Sequence, residues 1–382
     1  MIPRTLFSED HEMLRDSLRG FLAAEAKPYH DEWEQQGQVD RALWKKAGEQ
    51  GFLCPTVDEK YGGAGTDFLY NVVIDEENAR SGCSGIGWSL HSDIAVPYIV
   101  NYGTEEQKEK YLPGCVTGDY ITAIAMSEPG TGSDLQSVKT SALRNDDGWL
   151  LNGSKTFITN GQHANLVIVV AKTDSAAGAK GISLFLVETD KAEGFERGRN
   201  LEKIGLKAQD TSELFFNDVQ IPADALLGEE GKGFMYLMQE LPQERLSVSV
   251  TAVAAAEMAL ELTRSYVLER KAFGQSIAKF QNTQFVMADL ATEVQVTRAF
   301  LDRCTELHLQ RKLDVPTAAM AKLKTTELQC KVMDECLQLH GGYGYMWEYP
   351  IARAFVDSRV QKIYAGTNEI MKVIIARAIL GT

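Results

Sequence analysis

The sequence predicts an α+β protein in which an all-α segment, a β-rich segment and a second helical segment follow one another. Three observations lead to this prediction. Apolar residues recur at helical spacing from residue 4 to about residue 119, and again after residue 233. Between these segments, short β-branched runs are separated by turn residues. Strands that follow one another without intervening helices indicate an antiparallel barrel or sandwich.

The N-terminal domain, residues 1–119, is predicted to be helical. Its periodic apolar positions include Leu14, Leu18, Phe21 and Leu22. The glycine-rich stretch 61–68, YGGAGTDF, is interpreted as a loop between helices rather than a phosphate cradle, because no strand precedes it. The stretch 103–113, GTEEQKEKYLP, predicts a short polar helix that ends at Pro113.

The middle domain, residues 120–233, is predicted to be a β-domain. Its candidate strands are the runs ITAIAM, GWLLNGSKTFITNG, NLVIVVAKT, GISLFLVET and SELFFNDVQIP. The C-terminal domain, residues 234–382, returns to helical periodicity. Its candidate helices cover residues 246–270, 281–311, 316–340, 351–360 and 369–380. Short connections between long helices predict a bundle.

Composition narrows the class of protein. The chain has 382 residues, 44% of them hydrophobic and 24% charged, which is typical of a globular protein of two or three domains. The formal net charge of −14 argues against a general nucleic-acid binder, which needs a basic face. No uninterrupted apolar run has membrane-spanning length, so we expect no integral membrane segment.

The N-terminus and the cysteines bear on the compartment. The first residues, MIPRTLFSEDHEM, contain acids and no apolar core, unlike a signal peptide or an Arg-rich presequence. We expect a cytoplasmic protein, with a processed mitochondrial form as the alternative. The six cysteines form no CxxC pattern and are interpreted as reduced thiols. Motifs for dinucleotides, nucleoside triphosphates, zinc proteases and serine hydrolases are missing, and no metal site is predicted.

The stretch from residue 338 to residue 370 is the strongest candidate for a ligand site. Gly341, Gly342 and Gly344 follow an apolar helix end, where glycines indicate a turn or a close approach by another group. The rings that follow are Tyr343, Tyr345, Trp347 and Tyr349. Rings beside glycines suit a flat, partly polar ligand, although on composition alone a helix–helix corner packed with aromatics is the favoured explanation.

The second half of this stretch contains the turn IYAGTNEI. Gly366 interrupts the apolar run, and Thr367 is predicted to cap the next helix. The backbone N–H groups of Gly366, Thr367 and Asn368 then point out of a helix start, which suits a phosphate or a ring oxygen.

Together, QLHGGYGY and RV-x-x-IYAGTNEI resemble the C-terminal signature of the acyl-CoA dehydrogenases, with the long-chain branch as the closest match. The resemblance covers essentially the whole chain. It implies the acyl-CoA dehydrogenase fold with a C-terminal four-helix bundle, and a homotetramer built as a dimer of dimers. It also implies that FAD is shared across the dimer interface.

Two middle-domain stretches, MSEPGTGSD at 126–134 and FITNG at 157–161, look like the flavin segments of this family. On the residues alone they are a hairpin loop and an edge strand. The resemblance implies that Thr159 bonds the flavin beside its hydride-accepting nitrogen, and Phe157 stands where many members carry Trp. The implied FAD contacts in this domain are Met126, Ser127, Gly132, Ser133, Phe157, Ile158 and Thr159.

The C-terminal domain supplies the other implied FAD contacts. RKAFGQSIAKFQ resembles the family segment in which Arg270 and Gln281 reach the FAD of a neighbouring subunit. Arg270 would neutralise the pyrophosphate, a bidentate role that suits arginine; alone, the segment is an ordinary charged helix end. The remaining implied contacts are Gln338, Leu339, His340, Gly341, Gly342, Thr367, Asn368 and Glu369.

Dehydrogenation of an acyl thioester requires a base for the α proton while the β hydride goes to the flavin. Many members carry that glutamate where this chain has Ala365, which cannot take a proton. The long-chain and isovaleryl branches carry it at the start of the first bundle helix. There the chain reads ELPQERL, so Glu244 matches the displaced base and Pro242 suits a first helical turn.

The ordinary explanation of Glu244 is a first-turn acid that the helix dipole stabilises by about 0.3–1 kcal/mol. For a base, two effects on its pKa compete: the helix start lowers it and an apolar acyl pocket raises it, and desolvation must prevail. The implied substrate contacts are Ser133, Met235, Pro242, Gln243, Glu244, Arg245, Ala365 and Gly366.

The resemblance implies an FAD-dependent α,β-dehydrogenation of a medium-chain, long-chain or branched acyl-CoA to the trans-2-enoyl-CoA, with electrons passed to electron-transferring flavoprotein. Three alternatives stay open. The same fold serves flavin monooxygenases and acyl-CoA oxidases. The third alternative is a flavin-bound scaffold whose catalysis has lapsed, and Ala365 is its best support.

Overall fold

A computed structural model describes residues 2–381 and confirms the predicted order of helical, β-sheet and helical domains. The N-terminal helices are α1 Glu9–Glu25, α2 His30–Gln36, α3 Arg41–Glu49, α4 Phe68–Ser81, α5 Val96–Tyr102 and α6 Glu105–Thr117. The strands are β1 Thr122–Ala125, β2 Ser141–Asn145, β3 Gly148–Thr159, β4 Leu166–Lys172, β5 Ile182–Glu188, β6 Phe195–Asn200, β7 Thr211–Ile221 and β8 Leu226–Leu227. The C-terminal elements are α7 Gly233–Glu269, the small hairpin β9 Lys271–Ala272 and β10 Gln275–Ser276, α8 Gln281–Leu309, α9 Val315–His340, α10 Pro350–Ser358 and α11 Asn368–Leu380.

The N-terminal helices pack around a core of large side chains. The buried rings there are Trp33, Trp44, Trp88, Phe52 and Tyr98. A π-helical segment, Leu90–Ala95, leads directly into α5 and sets the direction in which that helix presents its side chains. Such segments are frequent at functional sites.

One helix end in this domain was predicted wrongly. α6 does not end at Pro113 but continues to Thr117, with the proline inside the helix. Leu112, Cys115 and Val116 are buried on the same helix. Burying these apolar side chains is worth several kcal/mol, which offsets the roughly 3 kcal/mol cost of an interior proline.

The middle domain is a single sheet with the strand order β6-β7-β3-β2-β4-β5-β8, and β1 also pairs with β4. Most pairings are antiparallel, as predicted, but β4 pairs in parallel with both β1 and β2. Parallel pairing needs a crossover connection, which short apolar runs do not reveal. β4 and β5 are buried along nearly their whole length. This sheet therefore provides a rigid base for the loops at its edge.

In the C-terminal domain α7 packs against α8, α9 and the N-terminal helix α4, and α11 packs on α9. The expectation that Pro242 lies in a first helical turn is wrong, because α7 begins at Gly233 and contains the proline. Tertiary burial of Tyr236, Leu237 and Glu240 extends the helix across it. Glu244 is therefore an interior residue, beyond the reach of the helix N-terminal dipole.

By length and composition alone, α7 could cross a membrane, contrary to the expectation that no segment is long enough. However, 67% of its most apolar stretch is buried inside the protein. A core helix of a bundle has the same composition, since it is apolar on all sides.

Candidate active site

Glu244 lies at the junction of the N-terminal domain and the bundle. Only 4% of its surface is exposed. The hydroxyl group of Tyr98, on α5, donates a hydrogen bond of 2.9 Å to Oε1 of Glu244. Within residues 2–381 no second side chain or backbone N–H donates to this carboxylate. One carboxylate oxygen is thus held, and the other is free of protein donors.

The surroundings of Glu244 favour its protonated form. Burial raises the pKa of Glu244 to about 7, while the hydrogen bond from Tyr98 lowers it. The negative charge of Glu240, one turn earlier on α7, raises the pKa further, and Arg245 lowers it. Desolvation therefore prevails, and the main effect opposing it is the hydrogen bond from Tyr98 rather than the helix start expected from the sequence. A carboxyl group with a pKa near 7 is suited to general-base chemistry at neutral pH.

Side chains on both sides of Glu244 are tied to the N-terminal domain. Gln243 Nε2 donates to the backbone oxygen of Asp93 over 2.7 Å, and its Oε1 lies 3.1 Å from His308 Nε2. Glu240 accepts a hydrogen bond of 2.9 Å from Asn101. These bonds fix the turn of α7 that carries Glu244.

Arg245 is also buried, and its Nε has no hydrogen-bond partner within the described chain. Burial lowers the pKa of Arg245, although Glu244 partly offsets this. An unpartnered buried guanidinium N–H carries a desolvation cost. The group is thus available to an oxygen atom of a ligand.

The turn that contains Ala365 lies against Arg245. A Cβ at Gly366 would be 3.8 Å from Nη2 of Arg245 and 2.8 Å from the Cε of Met371, and Gly366 has a φ of +85°. Glycine is therefore required at this position. Ala365 itself has a φ of +52°. A positive φ is rare for a non-glycine residue, and such strained residues cluster at functional sites.

A buried lysine holds the same turn from below. Lys322, on α9, donates to the carbonyl oxygen of Gly366 and to Oδ1 of Asn368, each over 2.9 Å. Burial and the charge of Arg245 lower the pKa of Lys322 to about 8. Thr367 caps α11 as predicted, through a 3.3 Å bond from the N–H of Ile370. The Asn368 side chain faces the interior, whereas Glu369 is exposed.

In the middle domain the structure brings the two predicted flavin segments together. The backbone N–H of Thr156 donates to the carbonyl oxygen of Ser127 over 3.0 Å. Lys155 Nζ reaches the carbonyl oxygen of Met126 at 3.1 Å and Oε1 of Glu128 at 2.9 Å. The loop after β1 is thereby tied to the end of β3. Gly132 and Ser133 lie on the exposed part of this loop.

Phe157 lies at an irregularity in the pairing of β3 with β7. It has a φ of +59°, and 69% of its surface is exposed. Its neighbour Ile158 is buried, and Thr159 is half-buried at the end of β3. The strained backbone turns a large ring outward, which costs about 1–2 kcal/mol. Such a feature is expected where a ring covers a flat ligand.

A second site lies at the end of α9, in a cavity of about 530 Å³. The cavity contains six of the predicted cofactor contacts, namely Arg270, Gln338, Leu339, His340, Gly341 and Gly342. The Arg270 guanidinium lies 5.4 Å from the centre of the Tyr343 ring. A Cβ at Gly341 or Gly342 would meet no atom within 4 Å, so the backbone there borders open space. Gln281, at the start of α8, is exposed and does not line this cavity.

His340 has a structural role in this cavity. Its Nδ1 lies 2.8 Å from the carbonyl oxygen of Cys336, and its ring stacks on Tyr266 with the centroids 4.2 Å apart. Burial lowers the pKa of His340. The imidazole is therefore neutral at physiological pH and supports the wall of the cavity through its stacking.

Sequence reasoning missed several residues of these sites. Lys155 and Lys322 each lie on the apolar face of a periodic element, and a charge in such a position was a usable signal. Tyr98 gave no signal, because its partner is 146 residues away in the chain. Among the predicted substrate contacts, Met235 is 42% exposed and points away from the core.

In the described part of the chain, the side chains of His30, Asp31 and Glu34 approach one another within 4.8 Å, as metal ligands would. Arg353 pairs with Asp31 at 2.6 Å and with Glu34 at 3.4 Å, and His30 Nε2 bonds to the carbonyl oxygen of Ser84. The arginine neutralises both carboxylates, so this group serves as an ion-pair cluster.

The raised pKa of Glu244 predicts a stability effect. Between pH 4.5 and about 7 the folded state binds more protons than the unfolded state, so the free energy of unfolding falls as pH rises. Glu244→Gln removes this loss. At pH 8 its free energy of unfolding should exceed that of the wild type by about 3 kcal/mol, so its urea midpoint should be higher. At pH 4.5 the two proteins should unfold alike. Equal midpoints at pH 8 would contradict the assignment of a buried charge.

Comparisons with known proteins identify the family of the chain. Family models for the N-terminal, middle and C-terminal domains of acyl-CoA dehydrogenase match residues 8–119, 123–219 and 231–380. The mouse (Mus musculus) long-chain specific acyl-CoA dehydrogenase, mitochondrial, is 57% identical over 99% of this chain and 88% of its own length.

Two solved structures have the same fold. An acyl-CoA dehydrogenase from Geobacillus kaustophilus is 54% identical, with a TM-score of 0.97 over 99% of this chain and 100% of its own. An acyl-CoA dehydrogenase from Bacillus anthracis, complexed with FAD, is 34% identical, with a TM-score of 0.92 over 98% of this chain and 69% of its own. From the matching domains, the shared fold and the full-length similarity, the chain belongs to the acyl-CoA dehydrogenase family of oxidoreductases.

Proposed function

We propose that this enzyme is an FAD-dependent acyl-CoA dehydrogenase that converts an acyl-CoA thioester to the trans-2-enoyl-CoA, with Glu244 as the base. The observation that carries the proposal is the buried carboxylate of Glu244. Burial holds its pKa at about 7, and the next residue, Arg245, lies against the turn whose Ala365 cannot accept a proton. The free oxygen of Glu244 would take the α proton of the substrate.

The residues present fit FAD. Arg270 offers a guanidinium group for the diphosphate, and the open backbone at Gly341 and Gly342 admits a ring system into the 530 Å³ cavity. Phe157 and Thr159 end β3 beside the loop of Ser127, where an isoalloxazine ring would bind. Bound FAD supplies the acceptor for the β hydride.

The backbone of the C-terminal cavity borders open space at Gly341 and Gly342, which is in keeping with FAD shared between subunits. Phe273, in the β9–β10 hairpin next to Arg270, is 95% exposed, and Tyr345 is 85% exposed. Large exposed rings of this kind favour contact with another subunit. We therefore propose a homotetramer built as a dimer of dimers. We also propose that the domains of each subunit cover residues 1–119, 120–233 and 234–382.

We propose medium-chain, long-chain or methyl-branched acyl groups as substrates. Ala365 is smaller than the glutamate that many family members carry at this position, and its neighbour Gly366 lies against Arg245. The mouse relative is named as long-chain specific, which favours a long chain.

Electron-transferring flavoprotein is the proposed acceptor. A cytoplasmic location stays a prediction, and the mouse relative is named as mitochondrial.

The test is an anaerobic titration of the purified FAD-loaded protein with octanoyl-, palmitoyl- and isovaleryl-CoA, followed by the loss of flavin absorbance. Bleaching by one or more thioesters is expected, and the thioester that bleaches best names the substrate class. Rapid recovery of the absorbance when oxygen is admitted would identify an oxidase instead. Normal flavin content without bleaching by any thioester would overturn the proposal and favour the scaffold or the monooxygenase.

A further inference from the structure

We propose that Tyr98 is a positioning residue for this reaction: its hydroxyl holds one oxygen of Glu244 so that the other oxygen faces the substrate. The proposal rests on the proposed role of Glu244 as the base. Tyr98 belongs to the N-terminal domain, which the motifs in the sequence did not connect with the chemistry.

The geometry is specific. Tyr98 is completely buried, and its hydroxyl lies 2.9 Å from Oε1 of Glu244. In the described chain it is the one donor to that carboxylate. A carboxylate held through one oxygen cannot rotate freely about its last torsion, whose energy profile is otherwise broad. Holding Oε1 therefore selects the direction in which Oε2 points.

Tyr98 is itself held in place. Its ring packs against Tyr102 with the centroids 6.1 Å apart, and Tyr102 stacks on Tyr236 of α7 at 4.0 Å. Where α7 contacts the segment 93–101, Gln243 also bonds to the backbone of Asp93, and Asn101 bonds to Glu240. The bond from Tyr98 to Glu244 lies between these two along the segment 93–101, so Asp93, Tyr98 and Asn101 each bond to α7.

Other charged groups surround the base and must be considered in any test by pH. Those that face this part of α7 are Glu240 and Arg245 on α7, Tyr102 on α5, Asp93 before α5, Asp75 on α4, His308 on α8 and Lys322 on α9. Asp93 and Asp75 share the hydroxyl group of Ser247 rather than reaching Glu244. Burial raises the pKa of both aspartates, Asp75 most, so the pair takes up a proton more readily than ordinary carboxylates.

A donor to the ionised form of a carboxylate lowers its pKa, so its removal raises that pKa. Tyr98→Phe should therefore move the acidic limb of the profile of log kcat/KM against pH to a higher pH, by about one unit. It should also lower kcat about tenfold at pH values above that limb, because the carboxylate is no longer oriented. KM should change little, because Tyr98 is completely buried and its hydroxyl is bonded to Glu244.

The matched control is Tyr111→Phe. Tyr111 is another buried tyrosine whose hydroxyl bonds to a carboxylate, that of Glu188, at 3.1 Å, but it lies on α6 against the β-sheet. The substitution removes the same atom and the same kind of bond. Its pH profile and kcat should coincide with those of the wild type.

A second variant works in the opposite direction and preserves the packing. Site-specific 3-fluorotyrosine at position 98 makes the hydroxyl a stronger donor, so the acidic limb should move to a lower pH. This keeps the test decisive if Tyr98→Phe fails to fold.

The outcomes separate this inference from the proposed function. If the wild type does not bleach with any acyl-CoA, the proposed function fails and the role of Tyr98 fails with it. If the wild type turns over and the acidic limb is the same in wild type, Tyr98→Phe and the fluorotyrosine protein, only the positioning role is overturned. Opposite shifts in the two Tyr98 proteins, with no shift in Tyr111→Phe, support it.

Discussion

Glu244→Gln is expected to lower kcat for acyl-CoA dehydrogenation by about 10²–10⁴-fold, the usual contribution of a general base. Glutamine has nearly the same shape and can still accept the hydrogen bond from Tyr98, but it cannot take the α proton. The variant should therefore retain its FAD and bind the thioester without bleaching. The measurement is stopped-flow flavin absorbance under anaerobic conditions, with ligand binding followed by the shift of the flavin spectrum.

Glu240→Gln provides the matched control for this prediction. Glu240 is also buried and lies one turn earlier on the same helix, where Asn101 and Tyr102 hold its carboxylate. The same change of charge at this position should leave most of the turnover intact. It should also move the acidic limb to a lower pH, because a negative charge that raises the pKa of Glu244 is removed. If Glu244→Gln bleaches as fast as wild type, the base lies elsewhere.

Glu128→Gln is expected to destabilise the protein by about 3–5 kcal/mol, the usual effect of breaking a buried ion pair. Lys155 is 1% exposed, and its ammonium group depends on Oε1 of Glu128 at 2.9 Å. Glu128 also accepts the backbone N–H groups of Lys139 and Thr140. The amide oxygen of glutamine can still accept one of these backbone hydrogen bonds, so the main effect of the substitution is that Lys155 loses its countercharge. The measurement is the urea midpoint of the FAD-loaded protein.

The pH dependence of this loss has a definite sign. Burial lowers the pKa of Lys155 to about 8, whereas its ordinary value is 10.5. The unfolded state therefore binds more protons between these values, and the free energy of unfolding rises with pH there. Without Glu128 the pKa of Lys155 falls further. The destabilisation by Glu128→Gln should therefore be larger at pH 7 than at pH 9.

The double variant Glu128→Gln/Lys155→Met provides the control. It removes both charges and keeps an amide acceptor for the backbone, so it should regain most of the lost stability. The single variant should also bind FAD more weakly, because the pair ties the loop of Met126 and Ser127 to β3. Identical midpoints for the single and double variants would contradict a role for the ion pair.

The sequence by itself predicted much of the architecture. Apolar, β-branched runs bounded by turn residues located β3, β4, β5 and β7, and helical periodicity located the long helices α8 and α9, close to their observed limits. The helices are recognisable because periodicity reports which face of a segment is buried, and the buried strands because they are short apolar runs between turns. The resemblance to the family showed that Ala365 stands where many members carry a glutamate, and it identified Glu244 as the candidate base.

Two helix limits went wrong for one reason. Pro113 and Pro242 were both taken as signs of a helix boundary, yet α6 and α7 run through them. The cost of an interior proline is a local quantity, whereas the burial that offsets it comes from other elements of the fold. Such a balance is decided by packing partners that are distant in the chain.

The electrostatics of the site was decided only by the tertiary structure. The pKa of Glu244 depends on its burial between two domains and on a hydroxyl group supplied by Tyr98, 146 residues away. The ammonium groups of Lys155 and Lys322 likewise depend on partners contributed by other segments. Local patterns determine which segments form helices and strands, but the free energy of a buried charge depends on every group that surrounds it in space.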